Sequence, residues 1–188
     1  MDIFRETPEF GRSLAVRIDP FLNESSEGQL RLVGGGGEAI VFGDAALQFA
    51  VKLLAPPGKA RFGWVLELNE KKRWAIRGGG LAEALERFAW FEELFDSGLE
   101  LDQTGTDGDF LVLKQPFIAG CHPDGPSLHQ WMIERGWSQW SPATDLAMIA
   151  TQSWRKDKWI ATDVRPENAL LSEADGSIRA IDFIVGRM

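Results

Sequence analysis

Thr162-Asp163-Val164-Arg165-Pro166-Glu167-Asn168-Ala169-Leu170-Leu171, followed after a turn by Ala180-Ile181-Asp182-Phe183, decides how this chain is read. It supplies a carboxylate at Asp163, a carboxamide five residues later at Asn168, and a second carboxylate fourteen residues further on at Asp182. Carboxylate and carbonyl oxygens are hard donors that suit Mg²⁺. The segments 169–172 and 178–183 flank Ala174-Asp175-Gly176, a strong hairpin signal. A tight turn there folds Asp182 back beside Asn168, so a loop followed by a hairpin can bring all three side chains to one point. The competing reading is a polar loop before an ordinary hairpin, because Asp, Pro, Glu and Asn are common loop residues.

Working outward, Gly34-Gly35-Gly36-Gly37 lies between strand-like segments at 29–33 and 39–42. Glycines let a backbone come close to phosphates and offer N–H donors unobstructed by side chains. No Gly-Lys-Ser/Thr follows, so this is not a P-loop. A strand rather than a helix comes next, so it is not a dinucleotide fingerprint. The segment 47–54 is an apolar strand broken only by Gln48 and Lys52. Residues 55–80 start with a Pro56-Pro57-Gly58 loop, continue through a 64–74 stretch that can be read as helical, and end at Gly78-Gly79-Gly80. Leu81, Leu85, Phe88 and Phe95 recur at helical spacing, which predicts a helix over 81–96 with Gly98 as its stop. A strand is expected over 110–118. Beyond it, Ser127-Leu128-His129-Gln130 reads as a capping box and Gly136 as the helix stop. Ser141-Pro142 predicts a second helix, and 159–162 a strand. Residues 1–26 read as a short helix and turn, started by Thr7-Pro8-Glu9 and stopped by Asp19-Pro20. The division is therefore 1–26 as an extension, 27–118 as a sheet with one helix, and 119–188 as a second unit. The class is α+β.

The pattern Asp-x-x-Pro-Glu-Asn-x-Leu-Leu…Ile-Asp-Phe resembles the catalytic loop and metal-binding aspartate of the protein-kinase fold. The glycine run followed by Ala50-Val51-Lys52, the helix over 81–96 and the segment 110–120 stand in the order of that fold's glycine hairpin, strand lysine, helix and adenine hinge. More narrowly, the chain resembles the compact kinase-like domains of bacterial and phage polyvalent proteins. They share a Gln-Pro-Phe hinge, a helix ending in Leu-Phe, a Trp-containing hairpin before the Asp loop and an Ile-Asp-Phe/Leu-Ile ending.

This resemblance implies a minimal kinase-like fold, with an antiparallel N-lobe sheet, one N-lobe helix and a truncated, mostly helical C-lobe. It implies ATP and Mg²⁺ as cofactors and transfer of a phosphoryl group to a hydroxyl on a small molecule or protein. Asp163 would accept the hydroxyl proton, and Arg165 would stand near the transferred phosphate. Asn168 and Asp182 would hold Mg²⁺. Lys52 would position phosphates with a helix carboxylate, Glu86 being chosen because apolar Trp90 follows it four residues on, with Glu83 second. Gly34, Gly35, Gly36 and Gly37 would cover the phosphates. In the hinge Gln115-Pro116-Phe117-Ile118, the Pro116 C=O and the Ile118 N–H would meet the base. A catalytically weak or inactive nucleotide-binding or protein-interaction module is the alternative.

The departures from the family pattern are specific. Ala39 stands at the third glycine, Ala161-Thr162 replaces His-Arg before the aspartate, and Ile184 replaces the glycine after Asp-Phe. Six residues follow Asp182, which leaves no activation segment or peptide-docking helices and predicts the nucleotide half of a kinase site without the peptide half. The cleft side so uncovered would favour self-association.

Composition bounds the remaining classes. The chain of 188 residues has 20 Lys+Arg against 28 Asp+Glu, a net charge of −8, which argues against a nucleic-acid partner. A single cysteine, Cys121, excludes an internal disulfide framework or a multi-cysteine zinc site. The two histidines, His122 and His129, read as surface residues. Asp102, Asp107 and Asp109 read as part of a turn between strands, and 155–158 as a solvated hairpin turn. Without a signal-peptide pattern or an apolar run of membrane-spanning length, the expected location is the cytoplasm, away from membranes.

Overall fold

The computed structural model describes residues 31–35, 38–43, 48–54, 62–104 and 110–188. The expectations for residues 1–26, for Gly36 and Gly37, for Asp107 and Asp109, and for the 56–58 loop lie outside these residues.

The described chain is α+β and mostly antiparallel sheet. The strands β1 (Arg31–Gly35), β2 (Ile40–Gly43) and β3 (Phe49–Leu54) run as a meander. β6 (Glu100–Thr104) and β7 (Leu111–Pro116) complete a five-stranded sheet in the order β1-β2-β3-β7-β6. Between β3 and the helix, β4 (Trp64–Leu68) and β5 (Trp74–Gly78) form an antiparallel hairpin. The helical reading of 64–74 is thereby corrected. Asn69 closes the turn by accepting from the N–H groups of Lys71 and Arg73, both at 3.0 Å. Lys72 takes the left-handed conformation there, at φ 55°.

Helix α1 (Leu81–Phe95) has the predicted extent. Its buried face is Ala84, Arg87, Phe88, Phe91 and Phe95, one or two residues per turn. It stops at Asp96 rather than Gly98: Asp96 is the left-handed C-cap at φ 48°, and its N–H donates to the Glu92 C=O.

The second half departs from the mostly helical expectation. After β8 (Gly120–Cys121) only two helices follow, α2 (Gly125–Glu134) and α3 (Ala147–Thr151). The rest is β9 (Ser138–Trp140), β10 (Ser153–Lys156), β11 (Trp159–Thr162), β12 (Ala169–Ser172), β13 (Ile178–Ala180) and β14 (Ile184–Arg187). These strands form two sheets, β14-β11-β10-β9 and β13-β12-β8. β10 and β11 pair with each other as a hairpin, and β9 and β14 complete the sheet on either side. α2 is capped by Asp124, whose carboxylate accepts from the Ser127 N–H at 2.7 Å, so Ser127 is capped rather than the cap. The helix expected from Ser141-Pro142 begins only at Ala147 and lasts five residues.

One aromatic core joins the halves. Phe183 is buried, edge-on to Phe95 at 5.3 Å and to Phe91 and Trp131 at 6.5 Å each. Phe95 stacks on Trp137 at 5.5 Å. The β4–β5 hairpin also ties into the second half. The Trp74 N–H donates to Ala143 C=O at 2.8 Å, Thr144 Oγ1 donates to Trp74 C=O at 2.7 Å, and Arg73 pairs with Asp145 at 2.8 Å. No helix among the described residues is long and apolar enough to cross a membrane.

Candidate functional site

β3 alternates its side chains, so Ala50 and Lys52 share one face. Both line a cleft of about 610 Å³, within the 300–1,000 Å³ range of small-molecule sites. Gly34 and Gly35 of β1, Val41 of β2, Pro116 at the end of β7 and Ile118 just beyond it form its upper wall. Asp163, Arg165, Asn168, Leu170, Ile181 and Asp182 form its floor. The fold thus gathers Lys52, Gln115, Pro116, Ile118, Asp163, Arg165, Asn168 and Asp182, spread over more than half the sequence, around one space. Glu86 is not among them: it is exposed on α1. The choice of Glu86 is therefore corrected. Glu83 is committed elsewhere, accepting from Arg77 and, at 2.9 Å, from the Gly80 N–H, which together pull its carboxyl down to about 2.

The loop after β11 is held in an unusual backbone. Asp163 sits at φ 57°, a region costly for a non-glycine residue unless its surroundings hold it there. The restraint is Asn168. Its Nδ2 donates to the Asp163 C=O at 2.9 Å and to Oδ2 at 2.8 Å. Pro166, Glu167 and Asn168 form a single 3-10 turn, and the Asn168 C=O accepts from the N–H groups of Ile181 (2.9 Å) and Asp182 (3.3 Å). The β12–β13 hairpin thus returns Asp182 to Asn168, as the spacing implied. Arg165 Nε lies 3.0 Å from Asp163 Oδ1.

Burial pushes the Asp163 carboxyl above its ordinary 3.8; the Asn168 hydrogen bond and Arg165 pull it back, while Asp182 and Glu167 push it further up. Between the unfolded and the folded value the native state holds this proton more tightly. The group's contribution to stability is therefore full below the unfolded value and declines as pH rises through the folded one.

Lys52 is 9% exposed. Its ammonium donates to the Ile181 C=O and lies 3.9 Å from Asp182 Oδ1. At the rim, the Phe117 N–H donates to Gln48 C=O at 2.8 Å. The trans peptide therefore turns the Pro116 C=O to the opposite side, off that strand pairing. The Gln115 side chain faces inward and donates to Ser97 C=O at 3.2 Å. It supports the strand from behind and leaves only backbone to the rim.

The residues present suit a hard divalent cation. The Asp182 side chain is 42% exposed, and Asn168, having given its N–H donors to Asp163, keeps its amide oxygen as acceptor. Among the described residues no group of three or more His, Cys, Asp or Glu could hold a metal. Asp182 and Asn168 would thus supply two of the oxygens that a cation needs.

Three cleft residues escaped the sequence reading. His122 lines the cleft, and its Nδ1 is 3.0 Å from the Ala169 C=O. A carbonyl only accepts, so Nδ1 carries the proton and Nε2 of the neutral ring is an acceptor. Trp64 belongs to the hairpin that resisted assignment. Glu38, immediately after the glycines, keeps 10% of its side chain exposed, is ion-paired to Arg87 of α1, and accepts from the Trp64 N–H at 3.0 Å. Its position directly after a glycine run was the available signal.

No family model, curated protein or solved structure matches this chain.

Proposed function

We propose that this protein is a minimal kinase-like phosphotransferase that binds ATP with Mg²⁺ in the 610 Å³ cleft and transfers a phosphoryl group to a hydroxyl acceptor. One observation carries the reading: Lys52, Asp163, Asn168 and Asp182 share a single cleft with the glycine hairpin above and the Pro116–Ile118 rim at its edge. Val41, Ala50 and Leu170 give the cleft apolar lining that would suit a flat ring. The charged end suits an anionic chain. Lys52 would meet phosphate oxygens, while Asp182 and Asn168 would hold Mg²⁺, which supplies charge neutralisation on the phosphates. Asp163 would take the acceptor's proton, and Arg165 would meet the transferred group. Positioning and charge stabilisation are what such chemistry needs from a protein.

The test is thermal unfolding with millimolar Mg·ATP. Ligand at a hundred times its Kd stabilises by about 2.7 kcal/mol, a rise of several degrees in Tm for a chain this size. Lys52→Met should abolish the rise. An unmoved wild-type Tm defeats the nucleotide reading.

The pH profile is a second check. ATP turnover should climb with pH through an acid limb lying above 3.8, because Asp163 must be ionised to accept a proton and burial opposes its ionisation. In the protein without nucleotide, Asn168→Ala removes a hydrogen bond that favours the carboxylate, so the Asp163 carboxyl should titrate at higher pH when followed by NMR.

A further inference from the structure

Resting on the nucleotide reading above, we propose that Glu38, backed by Arg87, is the carboxylate that positions Lys52, in place of any glutamate of α1. Among the glutamates of α1, Glu83 is bound to Arg77 and Gly80, Glu92 accepts from Ser97 and Leu99, and Glu86 and Glu93 are exposed. What α1 turns inward is a cation. Arg87 is 2% exposed and lies over the Phe88 ring at 4.1 Å. A buried guanidinium there with no carboxylate would repel Lys52. Glu38 removes that conflict: it lines the cleft with Lys52 and Asp182 and pairs with Arg87.

The charges thus alternate: Arg87 positive, Glu38 negative, Lys52 positive, Asp182 negative. Glu38 and Lys52 need not touch for this to act, since both line one cleft and two charges act on each other at a distance. The Glu38 carboxyl is raised by burial and by Asp182, and lowered by Arg87, the Trp64 N–H and Lys52, so it senses both neighbours in the cleft. The Gly63 backbone packs close against it. A Cβ on Gly63, which sits at φ +114°, would collide with the Glu38 carboxylate and come within 2.9 Å of Arg87 Nη2. Only glycine lets the chain pass this close to the pair.

The test separates holding the fold together from positioning Lys52. Glu38→Gln, Glu38→Asp, Arg87→Met and the double variant Glu38→Gln/Arg87→Met are compared for Tm and for Mg·ATP Kd by calorimetry. Glu38→Gln and Arg87→Met should each lower Tm by leaving one buried charge unanswered, and the double variant should recover it, since removing both charges removes the conflict. Its Kd should nonetheless stay about tenfold weaker than wild type, because Lys52 then keeps Asp182 alone as a neighbouring carboxylate. Glu38→Asp keeps the charge and should stay within a few-fold. The proposal is overturned if the double variant recovers both Tm and Kd, if Glu38→Gln binds like wild type, or if Glu86→Gln weakens binding as much as Glu38→Gln. Should wild type itself not bind Mg·ATP, the nucleotide reading falls first and this inference with it.

Discussion

Asp163→Asn is expected to lower ATP turnover by about 10²–10⁴-fold, the usual contribution of a positioned general base, while leaving Mg·ATP binding within a few-fold of wild type. Asparagine keeps the shape of the side chain. It can still accept from Asn168 Nδ2, so the left-handed backbone at this position keeps its restraint. The substitution removes only the capacity to take a proton and the charge opposite Arg165. Folding should not suffer: burial already disfavours the Asp163 carboxylate, so a neutral amide should leave Tm at pH 7 unchanged or slightly higher. Turnover is read by release of labelled phosphate and by label transfer to the protein or to added hydroxyl compounds. A wild type that binds Mg·ATP but transfers to nothing supports the binding-module alternative instead. An Asp163→Asn protein as fast as wild type removes Asp163 from the chemistry.

Phe183→Ala should have the largest effect on stability, about 3–5 kcal/mol, the usual cost of emptying a buried aromatic site. Phe183 touches Phe91 and Phe95 of α1 and Trp131 of α2, so its loss opens a cavity where the two halves of the molecule meet. At a few degrees per kcal/mol, the expected fall in Tm is about 10 °C. The consequence for function is direct. Phe183 anchors the peptide next to Asp182, whose side chain is 42% exposed and has Lys52 as its only ion-pair partner among the described residues. Without that anchor Asp182 should wander, and the stabilisation by Mg·ATP should shrink even at temperatures where the protein stays folded. Phe183→Leu, which fills most of the space, should cost about 1–2 kcal/mol and keep the response. A Phe183→Ala protein with wild-type Tm would mean that this contact does not join the halves.

Much of the site was legible because its signals are local. Asp163, Asn168 and the hairpin that returns Asp182 sit within twenty residues, and the turn at Asp175-Gly176 is written in residue types that favour it. β3 was legible for the same reason, and so was α1, whose apolar period is long and regular. Gln115 stands in the cleft lining, and its side chain donates to the Ser97 C=O, a partner that no local pattern announces.

What the sequence by itself determined, then, is a set of short segments with the right chemistry in an order that a single cleft can use. What only the tertiary structure decided is charge pairing and strand partnership. Residues 64–78 hold aromatic and charged residues that fit either a helix or a hairpin; the hairpin prevails because the Trp74 backbone finds partners in the Ala143 C=O and the Thr144 hydroxyl, about seventy residues away. The second half is largely sheet because β14, β11, β10 and β9 supply one another's hydrogen bonds across breaks in sequence. On α1, glutamates at neighbouring positions look alike on paper. Which one faces a lysine depends on the helix's rotation about its own axis, and that rotation is set by burying Phe88, Phe91 and Phe95. It turns Arg87 inward and Glu86 outward, leaving Glu38 as the carboxylate beside Arg87 at the cleft.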